Sequence, residues 1–130
     1  MLKETVLNYY LEQGMCCAES VLRACNDLYE LNIAQEDLIL YTGFCGGMAS
    51  GSVCGCLAAA MGVLSKKYVK REDFRDVCRN FVTIFKDKLG YDSFNCADLE
   101  PKYKTEESRC SACVSLAADA LEEYICQLEK

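Results

Sequence analysis

Eleven cysteines and no histidine in 130 residues define the chemistry open to this chain. Without imidazole there is no Ser-His-Asp triad, no Cys-His nucleophile pair and no histidine-ligated zinc or haem. The thiols are Cys16, Cys17, Cys25, Cys45, Cys54, Cys56, Cys78, Cys96, Cys110, Cys113 and Cys126. A thiolate is both the nucleophile of disulfide exchange and a ligand for soft metals. An odd count cannot pair completely within one chain. The first ten residues read as an amphipathic helix rather than an apolar signal core. The expectation is therefore a reduced, cytoplasmic protein with reactive or metal-binding thiols rather than a secreted disulfide scaffold. A net charge of −6 opposes nucleic acid and anionic membrane surfaces as partners.

These thiols need elements to position them, and the patterning is helical. Hydrophobic residues make up 52% of the chain, enough for one buried core over residues 1–130. Leu2, Val6, Tyr9 and Tyr10 share one face of a first helix that Gly14 ends. A second helix is predicted over 16–29, with Ala18, Val21, Leu22, Cys25 and Leu28 inward, and a short third over 35–40. Phe74, Val77, Cys78, Phe81, Val82, Phe85 and Leu89 recur at three- and four-residue steps, and Gly90 closes that helix. A last helix starts near Ser108 and carries Cys113, Leu116, Ala117, Ala120, Leu121, Tyr124 and Leu128. With one proline and no alternating run, the fold class is all-α. The expected architecture is a bundle of five or six helices, with a glycine-rich loop before a buried central helix. Carboxylates and lysines fall on the outer faces of these helices, and no carboxylate pair stands out for acid–base work.

Residues 38–65 carry no charge, but Gly46 and Gly47 break any membrane span there. Gly51, Gly55, Ala58 and Gly62 form a stripe of small residues on the central helix. Such a stripe admits another helix backbone, a second copy of the chain or a cofactor. The loop around Gly46 and Gly47 matches no phosphate-binding pattern, though its N–H groups could bind an anion or the sulfurs of a cluster.

Cys16 and Cys17, Cys54 and Cys56, and Cys110 and Cys113 all fall at helix starts. Free N–H groups and the positive dipole end favour thiolate there. Cys110-Ser-Ala-Cys113 is a CxxC, but no strand precedes it, so a thioredoxin fold does not follow. Cys25, Cys78 and Cys126 sit in regular helical patterns and read as packing residues.

Four blocks, in order, resemble the C_GCAxxG_C_C family, whose members are regarded as redox-active on their cysteine pattern. They are Cys17-Ala-Glu-Ser-Val-Leu22, then Phe44-Cys-Gly-Gly-Met-Ala-Ser-Gly-Ser-Val-Cys-Gly55, then Cys96-Ala-Asp-Leu99, then Cys110-Ser-Ala-Cys-Val-Ser-Leu-Ala-Ala118. The resemblance implies a small helical protein in which Cys17, Cys54, Cys96 and Cys110 form the site. It also implies a cluster option, because a related domain in split-Soret cytochromes accompanies its haems with an iron–sulfur centre. This chain departs from the pattern at Cys56, where the family has Ala, at Ala59, where it has Gly, and at Cys45, where it has Gly.

Three functions follow as expectations. The first is dithiol/disulfide or electron-transfer chemistry, the work of a thiol-based oxidoreductase, with Cys54 or Cys110 as attacking thiolate. The second is an iron–sulfur cluster or other metal held by Cys17, Cys54, Cys96 and Cys110. In it Cys45, Cys56 and Cys113 are auxiliaries, and Gly46, Gly47 and Gly55 line the cofactor. The third is a helical interaction module with thiols as filler. The partner is a redox protein or a small-molecule oxidant or reductant.

Overall fold

The computed structural model describes residues 1–107 and 109–130. The chain is 72% helical, with no strand among the described residues. The all-α expectation therefore holds. Among the described residues seven helical stretches are present rather than five or six. Helix α1 spans Leu2–Leu7 and runs on through a π turn at Asn8–Glu12. Helix α2 is Cys17–Tyr29, α3 is Gly55–Tyr68, α4 is Phe74–Leu89, α5 is Cys96–Tyr103 and α6 is Ser111–Leu128. The seventh stretch is a wound segment at 45–51, with Met48 and Ala49 in the left-handed region.

The core forms where the apolar stripes meet. In α4, Val77, Phe81, Phe85 and Leu89 are buried, as their spacing requires. Phe81 stacks on Tyr124 of α6 with ring centroids 5.6 Å apart. The Tyr124 hydroxyl donates to the Val77 carbonyl at 2.7 Å, which satisfies its polar end inside the core. Helix α1 also packs on α6, and α2 packs on α3. Each fully buried Phe or Leu side chain contributes about 1.5–3 kcal/mol to this assembly.

Several expectations are corrected. The third helix over 35–40 is a single 3-10 turn at Gln35–Asp37. Helix α6 begins at Ser111, and Ser108 lies outside the described residues. Leu28 is half-buried rather than inward, and Cys126 is exposed rather than packed. Gly51 is not on the central helix, because α3 starts only at Gly55. The small-residue stripe is used within the chain. A Cβ at Gly55 would lie 2.7 Å from the Cys17 sulfur, and one at Gly62 would lie 2.7 Å from the Tyr41 ring. Among the described residues no helix is long and apolar enough to cross a membrane.

Candidate redox site

Two short backbone links bring the helix starts together. An isolated antiparallel bridge joins Val53 to Asn95. In it the Cys54 N–H donates to the Phe94 carbonyl at 2.8 Å, and the Cys96 N–H donates to the Ser52 carbonyl at 2.7 Å. The start of α3 is thereby fastened to the start of α5. Gly47 closes this junction, because a Cβ there would lie 2.4 Å from the Ser52 carbonyl oxygen and 2.8 Å from the Cys96 Cβ. A second bridge, Thr105 to Arg109, turns the chain into α6. The Tyr10 hydroxyl then accepts the Cys110 N–H at 3.0 Å.

The result is a cavity of about 200 Å³ walled by eight cysteines: Cys16, Cys17, Cys45, Cys54, Cys56, Cys96, Cys110 and Cys113. Cys17 and Cys96 are the first residues of α2 and α5. Cys54 and Cys110 are the residues just before the first turns of α3 and α6. Four helix N-termini thus bear on one cavity. Gly46 also lines it, as do Leu99, Glu100, Lys104 and Arg109. A wider groove of about 650 Å³ runs along Ile33, Tyr41 and Ser65, but no cysteine lines it, so the thiol chemistry lies elsewhere.

The thiols differ sharply in acidity. Cys54 is held well below the ordinary cysteine range. The Cys113 and Cys56 thiols beside its sulfur are the main cause, and the Cys56 and Leu57 N–H groups at the start of α3 add to it. They do so without closing a full cap hydrogen bond. Cys17 is lowered too, chiefly by the Cys56 thiol. Cys56 is therefore the shared proton donor, and its own ionisation is pushed far up by Cys17, Cys54 and burial. Cys113 is raised by its bond to Cys54 and by burial. Burial pushes Cys96 up to about 12, helped by Glu100, whose carboxylate accepts from its sulfur at 3.4 Å. Cys110 is also raised by burial, with Glu100 adding to the shift. The expectation that a helix start lowers Cys110 therefore fails, since desolvation outweighs the dipole there.

Cys45 is corrected as well. It is bonded to Cys16, so as the chain stands it is not a free auxiliary ligand. Three residues outside the expected site, Tyr10, Glu100 and Arg109, also shape the cavity. The Arg109 guanidinium sits 3.8 Å over the Tyr10 ring and donates to the Tyr10 and Met15 carbonyls. Burial pushes the Tyr10 hydroxyl up to about 12, so it stays a neutral acceptor for the Cys110 N–H. The only sequence signal for Arg109 is its place beside Cys110. Glu100 could have been found from its position one helical turn after Cys96.

The family model described as "Putative redox-active protein (C_GCAxxG_C_C)" matches residues 15–124. The chain belongs to this family. No curated protein and no solved structure matches the chain. The four cysteines expected from the resemblance, Cys17, Cys54, Cys96 and Cys110, are the four at the converging helix starts, and Cys45 and Cys56 lie in the same cavity wall.

The donor set has the chemistry of an iron–sulfur or soft-metal site, since every wall thiol is a potential thiolate ligand. Among the described residues, however, no group of three or more His, Cys, Asp or Glu side chains is placed to hold a metal ion. A single-ion Cys₄ centre therefore does not fit this arrangement.

Proposed function

We propose that this protein is a thiol-based redox protein whose working couple is Cys54 with Cys113. The observation that carries this reading is the placement of Cys54 just before the first turn of α3, with the Cys113 and Cys56 thiols and the Cys56 and Leu57 N–H groups beside its sulfur. One thiol is held well down, directly beside another held up as its proton donor. That is the arrangement of an attacking thiolate with a resolving thiol. In the reducing direction the Cys54 thiolate attacks one sulfur of a small disulfide and expels the other half as a thiolate. Cys113 then loses its proton, attacks the Cys54 sulfur and releases the second half. Two electrons pass to the substrate, and a Cys54–Cys113 disulfide remains. Glu100, Lys104 and Arg109 are the charged residues that line the cavity.

The test is to oxidise the fully reduced protein with a small disulfide such as cystine and map the linked peptides by mass. A Cys54–Cys113 linkage is expected, and Cys54→Ser should remove it. Oxidation that leaves Cys54 and Cys113 as free thiols would rule the couple out.

A second reading rests on a different observation. Cys17, Cys54, Cys96 and Cys110 come from four helix starts around one cavity, more thiols than one dithiol couple needs. A polynuclear iron–sulfur cluster spreads its ligands around a body wider than one ion, so it escapes the misfit of a single-ion site. When bound it would supply one-electron transfer, and these four thiols would hold it. Purification without oxygen, followed by iron and acid-labile sulfide analysis, separates the readings. Cys113→Ser should leave a cluster intact while abolishing the dithiol couple.

A further inference from the structure

The Cys16–Cys45 disulfide joins residues 29 positions apart and forms part of the cavity wall. Neither residue belongs to the four-cysteine pattern. Cys16 lies just before α2, and Cys45 lies in the strap 42–46, whose last two residues, Cys45 and Gly46, line the cavity. We propose that this disulfide is a second redox-active site, a latch opened by an external dithiol, which controls access to Cys54. The proposal rests on the cavity being the reactive site described above.

Three observations support a latch rather than a structural staple. First, the hydrogen bonds that shape the strap are local. The Thr42 N–H donates to the Ile39 carbonyl at 3.1 Å and the Phe44 N–H to the Tyr41 carbonyl at 3.0 Å. Second, the strap ends in a ready pivot. Gly46 has a positive φ of 69° and is exposed with open space on its Cβ side, whereas Gly47 beyond it is the buried anchor against Ser52 and Cys96. Third, accessibility differs along the wall. Cys16 and Cys45 are half-buried, whereas Cys54 is only 6% exposed. A dithiol can therefore meet the latch before it meets Cys54. Once the latch is cut, the strap keeps the Phe44–Tyr41 ring stack at 5.4 Å and the packing of its 42–44 turn against α2 and α3.

The step balances as ordinary exchange. One thiolate of the reductant attacks the Cys45 sulfur, forms a mixed disulfide and releases the Cys16 thiolate, which takes a proton. The second thiol of the reductant attacks its own sulfur in that mixed disulfide and releases Cys45, which is also protonated. Two electrons and two protons move to the pair, and the dithiol leaves as a disulfide.

The test measures site-resolved alkylation of Cys54 by iodoacetamide, using mass spectrometry on the full chain. Without reductant, peptide mapping should show Cys16 linked to Cys45 and Cys54 as a slowly alkylated thiol. Dithiothreitol should speed alkylation of Cys54 by about tenfold or more, as expected when a thiolate becomes accessible. Cys45→Ser should give the fast rate without any reductant, and its far-UV circular dichroism checks that it is folded. Equal Cys54 rates in wild type before and after reduction would overturn the proposal. So would separate alkylation of Cys16 and Cys45 in the untreated protein. The comparison is made on protein whose untreated peptide map shows Cys54 and Cys113 as free thiols, so reduction of a Cys54–Cys113 disulfide adds nothing to the rate, and failure of the latch and failure of that couple are distinguishable.

Discussion

Cys54 and Cys110 occupy the same kind of position, each just before the first turn of a helix, yet their acidities part company. Cys54 has two thiol donors and two backbone N–H groups beside it. Cys110 has burial and the Glu100 carboxylate against it. The sequence shows both as helix-start thiols and places Cys56 two residues after Cys54, but Cys113 and Glu100 meet them only through the fold. A pH series of iodoacetamide labelling on the reduced protein exposes the difference. Free cysteine ionises near about 8.5. The Cys54 rate should stay at its plateau as pH falls below that value and drop only on passing its own lower pKa. The Cys110 rate should still be climbing above it. Coincident profiles for the two residues would contradict the assignment of Cys54 as the attacking thiolate.

Element by element, the long periodic segments were legible. The α4 stripe is the clearest, since four turns of regular spacing outweigh any local ambiguity. Helix α5 was not legible. It is eight residues long and contains Pro101, so it shows neither a period nor a favourable composition. The turn at 45–51 was read as a loop because Gly46, Gly47 and Gly51 dominate it. The helical winding there depends on Met48 and Ala49 accepting left-handed backbone. The close approach of α2 to α3 makes a sharp prediction. Gly55→Ala places a methyl group against the Cys17 sulfur and the Phe44 carbonyl, so urea unfolding should show a loss of about 1–3 kcal/mol. Phe81→Ala, at the buried crossing of α4 with α6, should cost about 3–5 kcal/mol in the same measurement. Wild-type unfolding midpoints for both variants would mean that these contacts are wrongly placed.

At the scale of the whole molecule, the bundle acts as a device for gathering thiols. Residues from Cys16 to Cys113 span most of the chain, yet eight of the eleven cysteines wall one cavity. The helix starts could be read from the sequence. Their convergence could not, because it depends on the Val53–Asn95 and Thr105–Arg109 bridges, which leave no periodic trace. Family membership covers residues 15–124, and the four cysteines expected from the resemblance, Cys17, Cys54, Cys96 and Cys110, fall at four helix N-termini that bear on one cavity. That placement explains why the pattern is spread over separate blocks. Each block supplies one helix start, and the packing of α2, α3, α5 and α6 closes the ring.

The central claim is that Cys54 and Cys113 form a dithiol couple in this cavity. A redox titration of the wild-type protein and of Cys113→Ser, with iron determined on the same samples, tests it most directly. The account predicts a two-electron midpoint that peptide mapping assigns to a Cys54–Cys113 disulfide, separate from that of Cys16–Cys45, and loss of the Cys54–Cys113 midpoint alone in Cys113→Ser. A one-electron couple that tracks bound iron and survives Cys113→Ser unchanged would contradict it.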